Sequence, residues 1–99
     1  MNSLKFSALQ DRKPVKINVN GEDICVTRIG DEVFAIGDVC THSDASLSEG
    51  DVTDFKIECW LHGAEFDLRT GVALTLPAVA PVDVYAVVVD GDSVTIEVK

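Results

Sequence analysis

An all-β fold is predicted for this 99-residue chain by three hairpin signals and by the lack of any sustained 3.6-residue apolar period. The signals are Asn20-Gly21, Gly30-Asp31 and Asp90-Gly91, each set between short runs rich in β-branched residues. The length suits one compact domain, expected to span residues 1–99.

In chain order, Val15-Lys16-Ile17-Asn18-Val19 alternates apolar and polar residues and meets Asn20-Gly21, whose residue types accept the left-handed backbone of a tight hairpin turn. Ile24 to Ile29 is its expected partner strand. Gly30-Asp31 turns the chain again into Glu32-Val33-Phe34-Ala35-Ile36. Near the end, Tyr85 to Val89 and Ser93 to Val98 flank Asp90-Gly91 as a further hairpin. One short helical turn is allowed around Ala45 to Ser48.

Between these hairpins lies a stretch of different character, from about 37 to 81. It holds both histidines, two of the three cysteines, four of the seven glycines and two of the three prolines. Loops carry function when a rigid scaffold positions them. The hairpins therefore read as scaffold and the middle segment as the site.

Charge narrows the function. Seventeen acidic residues face eight basic ones, a formal charge of −9. Nucleic-acid binding needs Lys and Arg to displace counterions, and docking on anionic lipid needs the same sign, so neither is expected. Steering toward a basic protein partner is compatible with this balance, as is a plain solvated surface. The opening Met1 to Phe6 lacks an apolar h-region, and no apolar run approaches the ~20 residues that span a bilayer. A cytoplasmic, monomeric protein is expected.

The chemistry concentrates in Cys40-Thr41-His42 and, after sixteen intervening residues, Cys59-Trp60-Leu61-His62-Gly63. Thiolate and imidazole suit iron–sulfur clusters, zinc and copper. Three cysteines make an odd number for a disulfide framework, so metal binding is the better reading of the paired Cys and His. A structural zinc knuckle would use the same residue types without redox chemistry. Two-Cys, two-His ligation is also what a Rieske 2Fe–2S centre requires.

The pattern resembles the Rieske ferredoxins of bacterial multicomponent dioxygenases, of the kind that act on biphenyl, toluene or carbazole. The resemblance is carried by Cys40-Thr41-His42, Ser46-Leu47-Ser48-Glu49-Gly50, Cys59-x-x-His62-Gly63, Phe66-Asp67 and Thr70-Gly71, and by Leu76-Pro77-Ala78 as a proline-bearing third loop. It implies the Rieske fold: antiparallel sheets as a scaffold subdomain, plus a small cluster-binding subdomain with two ligand loops and a proline loop. It implies one Rieske-type 2Fe–2S cluster, with Cys40 and Cys59 on one iron and His42 and His62 on the other. It also implies the partners of an electron carrier, a flavoprotein ferredoxin reductase and a terminal Rieske oxygenase. Gly63 is expected to let the chain pass close to the cluster, and Pro77 to shield it from water.

The same resemblance places the cluster at the low end of the Rieske range. Ala45 and Leu61 stand where Rieske proteins of cytochrome bc complexes have bridging cysteines. Ala64 and Phe66 stand where those proteins have Ser and Tyr hydroxyls that donate to sulfur. Neither Ala nor Phe can donate. Such bonds favour the more negative, reduced state, so their absence predicts a potential of about −150 mV.

Trp60 replaces the proline common after the second ligand cysteine. With Leu61 it forms either an apolar docking rim or a contact within its own domain. Asp44, Glu49, Asp51, Asp54 and Glu65 offer an acidic collar or a solvated surface. Cys25 reads as a small buried apolar residue.

An enzymatic role finds no residues. Both histidines are assigned to the cluster, leaving none for a mononuclear iron site, and no Gly-x-Gly-x-x-Gly fingerprint is present. The expected function is a shuttle of single electrons from an NAD(P)H-dependent reductase to a terminal aromatic-ring dioxygenase. The alternative is a Rieske-like small subunit or redox-sensing module of another oxidoreductase complex.

Overall fold

The computed structural model of the protein describes residues 3–40, 45–60, 63–75 and 80–97. Among the described residues, nine strands form two antiparallel sheets. The larger has six: β1 (Ser3–Lys5), β9 (Ser93–Glu97), β8 (Val84–Asp90), β4 (Glu32–Gly37), β3 (Glu22–Ile29) and β2 (Val15–Val19), in that spatial order. The smaller has three: β5 (Asp51–Thr53), β6 (Lys56–Glu58) and β7 (Glu65–Asp67). The described residues include no α-helix, only 3₁₀ turns at Phe6–Ala8 and Leu47–Glu49.

Turn chemistry sets the register of the large sheet. Asn20 and Gly21 both have positive φ, +53° and +86°, and bring Val19 opposite Glu22. This is the twist that matches right-handed strands. Gly30 (φ +61°) opens the next turn and pairs Ile29 with Glu32. The third hairpin differs by one residue from the sequence expectation. Asp90 is the last strand residue, paired with Ser93, and the two-residue loop is Gly91-Asp92. The glycine falls at the first loop position, where φ is +60°, a conformation glycine takes without steric cost.

Strand β3 has two buried faces. Cys25 and Ile29, with Ile36 of β4, pack into a core that includes Leu47, Ile57, Phe66 and Leu68 of the middle segment. Ile24 and Val26 point the other way, into a core with Val33, Ala35, Val94 and Ile96. One strand thus serves as the wall between scaffold core and site core, which explains its run of buried residues in place of strict alternation. The edge-to-face pair Phe34–Phe55, with centroids 5.9 Å apart, adds a second link between the sheets.

Candidate iron–sulfur site

The two cysteine motifs are built alike. The Cys40 amide donates to the Ala45 carbonyl at 3.0 Å, and the Cys59 amide donates to the Ala64 carbonyl at 2.6 Å. Each cysteine therefore heads a chain reversal whose two described ends are bonded to each other, Cys40 to Ala45 and Cys59 to Ala64. Just outside each turn lies an antiparallel pair, Val39 with Ser46 and Glu58 with Glu65. The second turn is tightened by the Gly63 amide, which donates to the Cys59 carbonyl at 2.9 Å. Gly63 has φ +76°, a conformation that disfavours any side chain. Among described atoms, a Cβ there would meet only Glu58 Oε2, at 3.8 Å, so backbone conformation is the constraint shown.

Both cysteines are buried and share one core cluster with Ala45, Ala64 and Phe66. His42 and His62 lie outside the described residues, as do Asp44, Leu61 and Leu76-Pro77-Ala78. Among the described residues no group of three or more His, Cys, Asp or Glu side chains is placed to hold a metal. What is described is a pair of cysteine thiols at the heads of matching turns, packed in one core. Soft thiolates in a site shielded from water fit an iron–sulfur cluster.

Asp38 is a site residue that the sequence reading did not single out. It is buried, two residues ahead of Cys40. Its carboxylate accepts from the Ser46 hydroxyl and from the Ser48 amide at 2.9 Å, and its carbonyl accepts from the Leu47 amide at 2.6 Å. The signal was present as an Asp before Cys40 and a Ser-x-Ser after the turn.

The expected absence of hydroxyl donors has a structural counterpart. Ala64 and Phe66 are fully buried, with Phe66 paired to Ile57 across β6 and β7. Cys25 lies in the same core, beside the Thr27 hydroxyl at 3.9 Å, and burial pushes its thiol up to about 12. It is the buried residue the sequence suggested. Trp60 is 55 % exposed, so about half of its surface is open to solvent rather than packed in the core. Glu49, Asp51 and Asp54 are exposed, whereas Glu65 is half-buried and paired with Lys56 at 3.4 Å, so it does not extend an unpaired acidic collar.

A matched pair of cysteine turns, one following β4 of the six-stranded scaffold and one joining β6 to β7 of the small three-stranded sheet, defines a class. Residues 2–86 match the model of the Rieske [2Fe-2S] domain, and the chain belongs to that family, whose cofactor is a single 2Fe–2S cluster. Within it, the chain is 44 % identical over 78 residues to the ferredoxin component of biphenyl 2,3-dioxygenase from Rhodococcus jostii (strain RHA1), covering 79 % of this chain and 73 % of that one. Its structure is similar to the ferredoxin of carbazole 1,9a-dioxygenase from Nocardioides aromaticivorans IC177, with TM-score 0.96, 38 % identity, and coverage of 100 % and 97 %. It also matches a chain in the complex of reduced oxygenase and oxidised ferredoxin in carbazole 1,9a-dioxygenase, with TM-score 0.91, 34 % identity, and coverage of 97 % and 90 %.

Proposed function

We propose that this protein is the electron-carrying ferredoxin of a multicomponent aromatic-ring dioxygenase, and that it is not itself an enzyme. Its electrons would come singly from an NAD(P)H-dependent flavoprotein reductase and leave to the Rieske centre of a terminal oxygenase. The observation that carries this reading is the pair of like-built turns headed by Cys40 and Cys59, buried in one core. The cluster supplies one-electron redox chemistry. Cys40 and Cys59 would hold one iron, and His42 and His62 the other.

The rest of the chain serves that exchange. Burial of Cys40, Cys59, Ala64 and Phe66 keeps water from the sulfur side. Exposed Trp60, adjacent to a ligand cysteine, offers an apolar anchor where a partner docks. A net charge of −9 favours a basic partner surface. Like-sized relatives named as dioxygenase ferredoxins, one of them solved with its oxygenase, support the same role. The reading also takes the chain as one domain working as a monomer in the cytoplasm. No helix among the described residues is long and apolar enough to cross a membrane.

The test is EPR of the dithionite-reduced protein, followed by reconstitution with a flavoprotein reductase and a Rieske oxygenase. A rhombic signal of mixed nitrogen and sulfur ligation, with aromatic turnover dependent on the protein, is expected. Iron-free, folded protein isolated without oxygen would overturn the assignment.

A further inference from the structure

The first ligand turn is held by a buried carboxylate. Asp38 is 1 % exposed and follows β4 directly. Its own amide is anchored to the scaffold through the Asp23 carbonyl at 3.1 Å. Its carboxylate reaches across the turn to the Ser46 hydroxyl and the Ser48 amide. Ser46 and Ser48 hydroxyls are 3.2 Å apart, so the acceptor and both serines form one small network. The two ends of the Cys40 turn are thus tied to each other by the Asp38 side chain and to the rigid sheet by its backbone amide. A second observation places the same carboxylate within electrostatic reach of the site core. The Cys25 thiol, which shares that core with Cys40 and Cys59, is held protonated chiefly by burial, and the Asp38 charge adds to the effect.

We propose that Asp38 is a positioning residue for the cluster: its carboxylate fixes the turn that presents Cys40, and its buried negative charge biases the cluster toward the oxidised form. The inference rests on the reading of Cys40 as a ligand. The geometric part follows from the hydrogen bonds, because a buried acceptor that loses its place leaves the Ser48 amide unpaired. The electrostatic part follows from charge: reduction adds a negative charge near one already present, in a region of low dielectric.

The two parts separate by substitution. Asp38→Asn keeps the shape, still accepts from the Ser48 amide, and can donate to the Ser46 hydroxyl, but carries no charge. Asp38→Ala removes both contacts. Wild type and both variants are compared as holoproteins by voltammetry, EPR and the rate of bleaching of the visible band under a chelator. Asp38→Asn is expected to keep the cluster at the wild-type rate and shift the potential upward. Asp38→Ala is expected to bleach on the order of tenfold faster. An unchanged potential in Asp38→Asn, or wild-type bleaching in Asp38→Ala, overturns the proposal. If Asp38→Ala does not fold, Asp38→Asn decides alone. A wild-type protein without a Rieske EPR signal would instead sink the ligand assignment beneath it, a result distinct from a normal signal that Asp38→Asn leaves untouched.

Discussion

Gly50 packs its backbone onto the carbonyl of Glu58, so closely that a Cβ at position 50 would lie 1.8 Å from that oxygen. Gly50 ends the segment after the Cys40 turn, and Glu58 is the residue before Cys59. The contact therefore sets how near the two cysteine turns approach one another. Gly50→Ala should separate them, because the atom it strikes is backbone and cannot swing aside. A loss of about 3 kcal/mol is expected, together with a weakened visible band. Thermal unfolding and absorbance at equal protein concentration check both.

Leu47 is fully buried on the 3₁₀ turn that follows the Cys40 turn, within the site core. Leu47→Ala should lower stability by about 2–5 kcal/mol through lost burial and a residual cavity. Chemical denaturation measures it. The same substitution should hasten cluster loss, since this core also packs Cys40 and Cys59.

Ala64 and Phe66 bring no hydroxyl to the site core. Introducing Ala64→Ser and Phe66→Tyr together should raise the reduction potential from the low end of the Rieske range, about −150 mV. Voltammetry reads the shift. Both positions are fully buried, so the added hydroxyl of the tyrosine should also cost about 1–3 kcal/mol.

Trp60 is exposed, so Trp60→Ala should leave stability within about 0.5 kcal/mol. It should nevertheless slow electron transfer to the oxygenase, because the proposed docking surface loses its aromatic anchor. Stopped-flow reduction of the oxygenase tests this, and added salt should slow the wild-type reaction if acidic steering contributes.

Acid stability has a defined origin. Burial alone would push Asp67 up, but the side chain and backbone N–H of Arg69 outweigh it and hold the carboxyl below its usual range. Asp11 is likewise lowered, first by the Gly30 amide at 2.8 Å and then by Arg12. A carboxyl whose folded value lies below its unfolded one stabilises the fold fully above the unfolded value, about 3.9. That contribution is lost as pH falls through the folded value. Unfolding midpoints should therefore hold above about pH 5 and fall toward pH 3, with Asp67→Asn flattening part of the decline.

The long hairpins were legible because their turns carry a chemical mark. Asn20-Gly21 and Gly30-Asp31 supply residues that tolerate positive φ, and the strands beside them alternate or run apolar. The β5 to β7 strands were not legible as strands. Each has three residues, too few to display a period. β1 was hidden for the same reason. The cysteine motifs were plain because thiolate and imidazole pairs are rare at such spacing. Asp38 and Gly50 were not, since their roles arise from a carboxylate meeting Ser46 and Ser48 across a turn, and from one backbone touching another at Glu58.

Trp60 is also the chain's one tryptophan, and it follows Cys59 directly. With Cys59 as a cluster ligand, as proposed above, the molecule would carry an intrinsic fluorophore beside its own redox centre. Its emission should be quenched while iron is bound and brighten as iron leaves. Contact with a docking surface should shift its wavelength, giving a label-free readout of both occupancy and complex formation.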